Sequence, residues 1–299
     1  NKDNTTGQKS TSVGGVLSVN VIHATSDAYM SHVTVGGKTN QGPDVSVTSL
    51  SKQQILAIAG AAAAAQGDAY AVTVAVNVIS AGARAAVDYS TIKGKTLAVH
   101  AGNESSILSI AGGVSVSTGN NAAAAIAANV IAGAKLPAVG ADTDPSNIDI
   151  QKVLPTGTGN LDVTASVSHS TITLYGDTEK CMSVLAETSS AILSIAAGVS
   201  VSTGSEQGAA DKRNLAGAAT VNVIARNVGA TVSDSVLTTA GKVSIVARDY
   251  IMDGSTQKGS RILAIAGQVG VSKGKQAGAA LGVNVIANSV QAGLVDSDL

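Results

Sequence analysis

The sequence predicts an all-β fold of the parallel β-helix (solenoid) class, and three observations lead to this prediction. The segment Ile262–Gly267 (ILAIAG) is repeated as Ile55–Gly60, with near copies at Ile107–Gly112 and Ile192–Ala197. A second motif, Val-Asn-Val-Ile or Ala-Asn-Val-Ile, follows each copy, and it begins 21 residues later in three of the four cases. The composition lacks Phe and Trp and contains five Tyr. Repetition of this kind indicates stacked structural units, and small aliphatic side chains suit a narrow interior of repeating cross-section.

The individual elements follow in chain order from alternation and turn signals. Residues 1–9 are polar and unpatterned, which is typical of a loop or a frayed end. Val13–Ile22, Tyr29–Val35 and Val45–Leu50 alternate apolar and polar residues, as half-buried strands do. Gly36–Asp44 between them is a turn cluster. The first complete repeat starts at Ile55, and the next copy starts 52 residues later.

Two alanine-rich segments, Ile55–Ala65 and Asn121–Ala128, are compatible with helix or strand. Alanine favours helix by intrinsic propensity. The equivalent positions of other copies, Gly113–Gly119 and Gly198–Gly204, read GVSVSTG, which is an alternating strand pattern bounded by glycine. Because stacked repeats must share a conformation, the clear copies decide, and we predict strands throughout.

The 21-residue spacing predicts the length of one coil. Two or three short strands with Gly, Ser or Asn at the corners would occupy about 20–25 residues at the strand rise of a parallel sheet. The 52-residue repeat would then contain two or three coils. The whole chain would form a rod of roughly 12–15 coils and about 60–70 Å.

Residues 1–299 are therefore interpreted as one elongated segment of a longer repeat protein, interrupted by two surface loops. The larger loop, residues 136–160, holds Pro137, Pro145 and Pro155, and the smaller, residues 206–213, accounts for eight extra residues. Insertions in solenoids become external loops. The larger loop contains weak calcium candidates, Asp142, Asp144, Asn147 and Asp149, but it lacks the glycine and the closing glutamate of a calcium-binding loop.

The overall charge and composition narrow the classes of function. The net charge is −1, and neither a basic stripe nor an aromatic platform points to nucleic acid. Cys181 is the single cysteine, so disulfides within the chain do not hold it together. The apolar run Ile55–Ala65 is shorter than the roughly 20 residues that a membrane-spanning helix needs.

The recurring polar residues are best explained by structure, and no metal site, cofactor or catalytic residue is predicted. One asparagine per repeat indicates a structural ladder of stacked amides. Its members are Asn20, Asn77, Asn129, Asn222 and Asn284. A second recurring position of the repeat, which we call the variable polar slot, is occupied by different types of polar residue, as solvent-facing positions are. This slot holds His32, Tyr89, His169, Asp234 and Ser297.

The repeats ILSIAGGVSVSTG…VNVIA, each followed by a DS or HS turn and a Val-rich strand, resemble those of filamentous-haemagglutinin-like and leukotoxin-like exoproteins. These are large adhesins of Gram-negative anaerobes. The resemblance covers nearly the whole chain. It implies a single-stranded right-handed parallel β-helix, type V two-partner secretion through an outer-membrane partner, and a secreted or cell-surface location with a role in virulence.

The first functional hypothesis is a non-enzymatic stalk of an adhesin or exotoxin scaffold, with the surface of host or other cells as its partner. A self-assembling extracellular filament, with self-association of the chain, is the second hypothesis. A polysaccharide-active β-helix enzyme is the third, and it would need acidic and basic residues clustered in a groove across neighbouring coils.

Overall fold

The computed structural model describes residues 10–36, 42–134, 162–176, 180–204 and 212–299, and these residues form an all-β structure. None of them belongs to a helix that is long and apolar enough to cross a membrane. The strands in chain order are β1 (Ser12–Ser31), β2 (Thr34–Val35), β3 (Asp44–Ala65), β4 (Ala69–Asp88), β5 (Thr91–Gly94), β6 (Thr96–Ser117), β7 (Asn121–Gly133), β8 (Val163–Ser168), β9 (Thr171–Leu174), β10 (Met182–Ser202), β11 (Arg213–Ala225), β12 (Asn227–Ser233), β13 (Val236–Thr239), β14 (Val243–Arg248), β15 (Tyr250–Asp253), β16 (Thr256–Gly259), β17 (Arg261–Val271), β18 (Lys275–Ile286) and β19 (Ser289–Val295).

Within the described ranges the strands form three parallel sheets and one hairpin. Sheet A contains β1, β4, β7, β8, β11, β12, β18 and β19; sheet B contains β2, β5, β9 and β13; sheet C contains β3, β6, β10, β14 and β17. The chain passes through A, B and C in that order and then returns to A. Each strand pairs in parallel with its equivalent from the next passage, which is consistent with a β-solenoid. Strands β15 and β16 form an antiparallel hairpin.

We call one passage through the three sheets a layer. The number of residues in a layer differs from the number predicted for one coil. Asn77 lies beside Asn129, 52 residues later, and beside Asn20, 57 residues earlier. The predicted coil of 20–25 residues is therefore wrong, because the two motifs 21 residues apart belong to one layer. In the part of the chain that is described, sheet A has five layers rather than 12–15 coils. Five layers at a spacing of about 4.8 Å make a stack roughly 20 Å high.

The physical reason is the length of the strands. Strand β3 has 22 residues and β4 has 20, whereas most strands have about 3–10. The chain turns between these two strands at Gln66–Asp68, and neither strand is interrupted by a corner. The alanine-rich segments Ile55–Ala65 and Asn121–Ala128 lie in β3 and β7, which confirms the strand prediction.

The two repeated motifs of one layer face each other across the interior. Ile55 of sheet C and Ile79 of sheet A belong to the same buried cluster, together with their equivalents from other layers. Towards the turn the contacts become alanine on alanine, as between Ala59 and Ala75. The sheets approach so closely there that a Cβ at Gly198 would lie 2.3 Å from the carbonyl oxygen of Gly217. Near the turn small residues therefore face inward, while Leu56 and Ile58 of the first motif face outward.

The two predicted insertions fall mainly outside the described residues, as do the calcium candidates Asp142, Asp144, Asn147 and Asp149. Arg213, predicted as the last residue of the smaller loop, is instead the first residue of β11. Its backbone amide donates a hydrogen bond to Asn120 Oδ1.

Candidate functional site at the β15–β16 hairpin

The predicted asparagine residues form a continuous hydrogen-bonded column in sheet A. Each side-chain Nδ2 donates to the Oδ1 of the asparagine in the next layer at 2.8 Å, from Asn20 through Asn77, Asn129 and Asn222 to Asn284. The Nδ2 of Asn77 and that of Asn129 also donate across the interior to serine hydroxyls of sheet C at 3.0 Å. The column therefore lies inside the stack, where it satisfies buried polar groups.

The variable polar slot lies at the turn after sheet A, and its residues are more constrained than the sequence indicated. His32, Tyr89, His169 and Asp234 all have positive φ between 44° and 57°. The ring of Tyr89 stacks on His32 at 5.1 Å and on His169 at 4.4 Å between centroids. Asp296, rather than the predicted Ser297, continues this slot in the last layer.

Ser297 instead continues a serine column that sequence reasoning missed. Its members are Ser90, Ser170, Ser235 and Ser297. In each successive pair the backbone amide of the earlier serine donates to the hydroxyl of the later one at 3.0–3.2 Å. Each hydroxyl in turn donates to the carbonyl two residues earlier. The DS and HS dipeptides were the available signal, because the serine always follows the left-handed residue.

A cleft lined by charged residues lies on the outer side of sheet C, and the β15–β16 hairpin forms part of its wall. Its volume is about 300 Å³, at the lower end of the range for small-ligand sites. The residues that line it are Leu50, Ser51, Lys52, His100, Gly102, Glu104, Glu187 and Ile251. A Cβ at Gly102 would meet Leu50 Cδ2 at 2.8 Å, so this glycine leaves room for the cleft.

Glu187 is the centre of the charged groups around the cleft. His100 Nε2 lies 2.9 Å from Glu187 Oε1, and because an ionised carboxylate only accepts, the imidazole is the donor. Arg248 Nε donates to Glu187 Oε2 at 2.8 Å, and its guanidinium lies 4.9 Å from the centroid of the Tyr250 ring. Burial alone would raise the pKa of Glu187, but the hydrogen bonds from His100 and Arg248 outweigh it and lower the pKa. One carboxylate thus links three layers of sheet C to the start of the hairpin.

A second charged group, Arg226, lies wholly inside the stack between β11 and β12. Its Nη1 donates to the carbonyl oxygens of Ala81 and Ala132 at 2.8 Å and lies 3.3 Å from Asp162 Oδ2. Burial raises the pKa of Asp162, although Arg226 partly offsets this effect. Burial likewise lowers the pKa of Arg226. The pair fills the interior where sheet A is interrupted, and it is not accessible to a ligand.

The charged side chains described above form ion pairs and hydrogen bonds with one another, and this limits the chemistry that they can perform. Across the described ranges no cluster of three or more His, Cys, Asp or Glu side chains has the arrangement of a metal site. Lys52 pairs with Glu104 at 2.9 Å, so the cleft presents balanced charges. It is suited to holding the hairpin against sheet C and to weak contact with a small polar group.

Replacing Glu187 by glutamine is expected to lower the free energy of unfolding by about 1–3 kcal/mol at neutral pH, because hydrogen bonds to a charged acceptor are lost. The folded-state pKa of Glu187 lies below its ordinary value of 4.5, so its stabilisation exists above that pH and disappears as the pH falls through the folded-state pKa. Urea unfolding at neutral and at acidic pH measures the difference between the two proteins.

Glu104→Gln is the matched control, because the Lys52–Glu104 pair is exposed and is worth about 0–1 kcal/mol. Equal losses in the two variants, or a Glu187→Gln defect of unchanged size in acid, would contradict the role given to Glu187.

Comparison of the chain with protein-family models, curated proteins and solved structures finds no match. The function is therefore argued from the residues and their geometry.

Proposed function

We propose that this segment is a non-enzymatic structural or adhesive stalk of a large secreted or surface-exposed bacterial exoprotein. In this proposal the layers are successive turns of a single-stranded right-handed parallel β-helix. The course of the chain through the described residues supports this proposal, because the chain passes through sheets A, B and C in a fixed order and each layer pairs in parallel with the next.

The observation that carries the proposal is the stacking of like residues on like along one direction. Asparagine lies on asparagine through five layers of sheet A, and leucine lies on leucine through four layers of sheet C. Such a structure grows by adding layers, each of which contacts its immediate neighbours. It therefore supplies length and lateral surface rather than a single enclosed site.

The proposed location and partners follow from the resemblance of the repeats to filamentous exoproteins. They are the cell surface or the medium of a Gram-negative bacterium, an outer-membrane secretion partner, and the surface of a host or neighbouring cell. One buried free cysteine, Cys181, is compatible with export of an unfolded chain that needs no disulfide.

The proposal is tested with the chain displayed on beads and with the intact parent protein. A stalk predicts that electron microscopy of the parent shows a thin rod whose length grows with the number of repeats. Beads that carry the chain would adhere to epithelial cells if the lateral surface is itself adhesive. A compact parent particle would exclude the stalk.

The two other hypotheses give different outcomes in the same experiments. A self-assembling filament predicts end-to-end polymers of the parent in the micrographs. A polysaccharide-active enzyme predicts depolymerisation of acidic polysaccharides by the purified chain, lost when Glu187 or His100 is replaced. Turnover of this kind would overturn the non-enzymatic proposal.

A further inference from the structure

The outer side of sheet C carries an uninterrupted apolar surface, which we call the apolar face. Its residues form five columns across the four layers of the sheet. The columns are Leu56–Leu108–Leu193–Leu263, Ile58–Ile110–Ile195–Ile265, Gly60–Gly112–Ala197–Gly267, Ala62–Val114–Val199–Val269 and Ala64–Val116–Val201–Val271. No charged or polar residue occurs in these five columns, and Gln54 and Arg261 lie just beyond the leucine column.

In the strands of this face the apolar side chains point outward and polar side chains point inward, which is the reverse of an ordinary strand with one face in water. In β6 the side chains of Ser109 and Ser115 face the interior, while Leu108, Ile110 and Val114 face outward. Leu56 is 64% exposed and Ile58 is 71% exposed. Monomeric soluble proteins rarely expose contiguous apolar patches of more than a few hundred Å². The five columns therefore have the character of a contact surface.

The glycine column leaves room for the close approach of another body. A Cβ placed on Gly112 or Gly267 would have no atom within 4 Å, and one on Gly60 would have a single neighbour at 3.9 Å. None of the three has positive φ. The fold of the chain thus gives no reason for glycine at these positions. Their effect is an open groove along the stack, between the isoleucine column and the first valine column.

The chain covers the adjacent part of sheet C but not the apolar face. Outward-facing Glu187 and Ser189 of β10 are buried near the β15–β16 hairpin, whereas Leu193, Ile195 and Ala197 further along the strand are not. A groove of about 400 Å³ with Gln54 and Arg261 in its lining marks the edge of the apolar face. In the described part of the chain, the face from the leucine column onward is uncovered.

We propose that the apolar face pairs with the apolar face of a second copy of this chain, forming a closed dimer. A two-fold axis along the stacking direction reverses the strands of one copy and keeps layer opposite layer. The isoleucine column of each copy then lies in the glycine groove of the other, and each leucine column lies opposite the first valine column. This arrangement is self-complementary, as a two-fold interface requires.

The size of the face is sufficient for such a dimer. In this register four apolar columns of each copy face one another, and the second valine column faces the column that contains Gln54 and Arg261. Four layers at about 4.8 Å and four columns at about 6.6 Å cover roughly 500 Å² per copy, hence about 1,000 Å² in total, which reaches the minimum expected of a biological interface. A fluid lipid surface would need no groove. The same surface supplies both the groove and the column that fits it, which favours a second copy over an unrelated protein. The pairing does not depend on the proposed stalk function.

Light scattering and sedimentation of the full chain over a micromolar concentration range test the pairing. The wild-type chain is expected to be a dimer, and Val114→Glu is expected to raise the dimer dissociation constant on the order of 100-fold, since each dimer buries two new charges. Val236→Glu on the outer side of sheet B is the matched control, because Val236 is 48% exposed, Val114 is 43% exposed, and the residues stacked in line with Val236 are the threonines Thr34, Thr91 and Thr171. It should leave the dimer intact, and circular dichroism should show both variants folded.

Gly112→Leu separates specific pairing from general stickiness. The substitution makes the face more apolar, and its Cβ has no atom of the chain within 4 Å, but its side chain fills the groove. Pairing of the proposed geometry predicts a dimer at least roughly 10-fold weaker, as expected for an overpacked contact. A wild-type monomer at all concentrations, a Val114→Glu dimer, or tighter association of Gly112→Leu would overturn the proposal. So would binding of monomers to phosphatidylcholine–phosphatidylglycerol vesicles through this face.

Discussion

Replacing Arg226 by methionine is expected to destabilise the folded chain by about 3–5 kcal/mol, the usual cost of removing one member of a buried ion pair. The change leaves the carboxylate of Asp162 in the interior without its cation. It also removes the Nη1 group that donates hydrogen bonds to the carbonyl oxygens of Ala81 and Ala132. Methionine fills much of the volume, so the loss is mainly electrostatic.

The defect should grow as the pH rises. Burial already raises the folded-state pKa of Asp162 above its ordinary value of 3.8, even with Arg226 beside it. A group whose pKa is raised by folding contributes stability below its unfolded pKa, and this contribution is lost as the pH rises through the folded-state pKa. Without Arg226 the pKa of Asp162 rises further. The urea midpoint of Arg226→Met should therefore fall further below that of the wild-type chain at neutral pH than near pH 4.

Two further variants identify the cause. Arg226→Met combined with Asp162→Asn removes the stranded charge and keeps an acceptor for the backbone amide of Asn227, so it should recover part of the loss. Arg213→Met, at the exposed start of the preceding strand β11, should change stability by less than about 0.5 kcal/mol. If Arg226→Met and Arg213→Met were equally stable, the buried pair would have no energetic role.

The strand content and the columns of like residues could be predicted from the sequence, because both follow from local patterns. Alternation in the GVSVSTG copies correctly decided the conformation of the alanine-rich β3 and β7. The asparagine column followed from one asparagine per repeat. To predict these features, it is enough to assume that equivalent residues of successive repeats lie beside each other.

The length of a layer could not be predicted in the same way. Two motifs 21 residues apart fit two arrangements, either stacked coils or opposite walls of one layer. The structure has the second arrangement, with Ile55 and Ile79 in one cluster. The deciding fact is that β3 and β4 run on without a corner, and alternation of Ala, Val and Ser looks the same in a long strand as in several short ones.

The charged groups were missed because their partners come from different layers. Glu187 contacts His100, 87 residues earlier, and Arg248, 61 residues later. Arg226 contacts the carbonyl of Ala81 across 145 residues. Such separations follow from layer length and inserted segments, so the error in layer length hid these contacts as well. A single arginine within an aliphatic segment, as in VNVIARNVGATV, was the one available signal.

Replacing Asn129 by alanine is expected to cost about 2–4 kcal/mol, because three buried partners each lose a hydrogen bond and cannot reach water. Asn129 accepts from Asn77 and donates to Asn222, at the middle of the column, and it also donates to Ser194. Alanine would leave the Nδ2 of Asn77 with one acceptor fewer and the Oδ1 of Asn222 without this donor. Thermal and urea unfolding measure the loss.

Asn284→Ala is the matched control for the central substitution. Asn284 accepts the same 2.8 Å bond from Asn222 but lies in β18, whose residues are exposed in the described structure, so water can replace it. Its loss should stay near 1 kcal/mol, the net value of a single hydrogen bond. The difference between the two variants measures what burial adds to one rung of the column. Equal effects would mean that burial adds nothing to the hydrogen bonds between the amides. The aliphatic columns alone would then determine the register between layers.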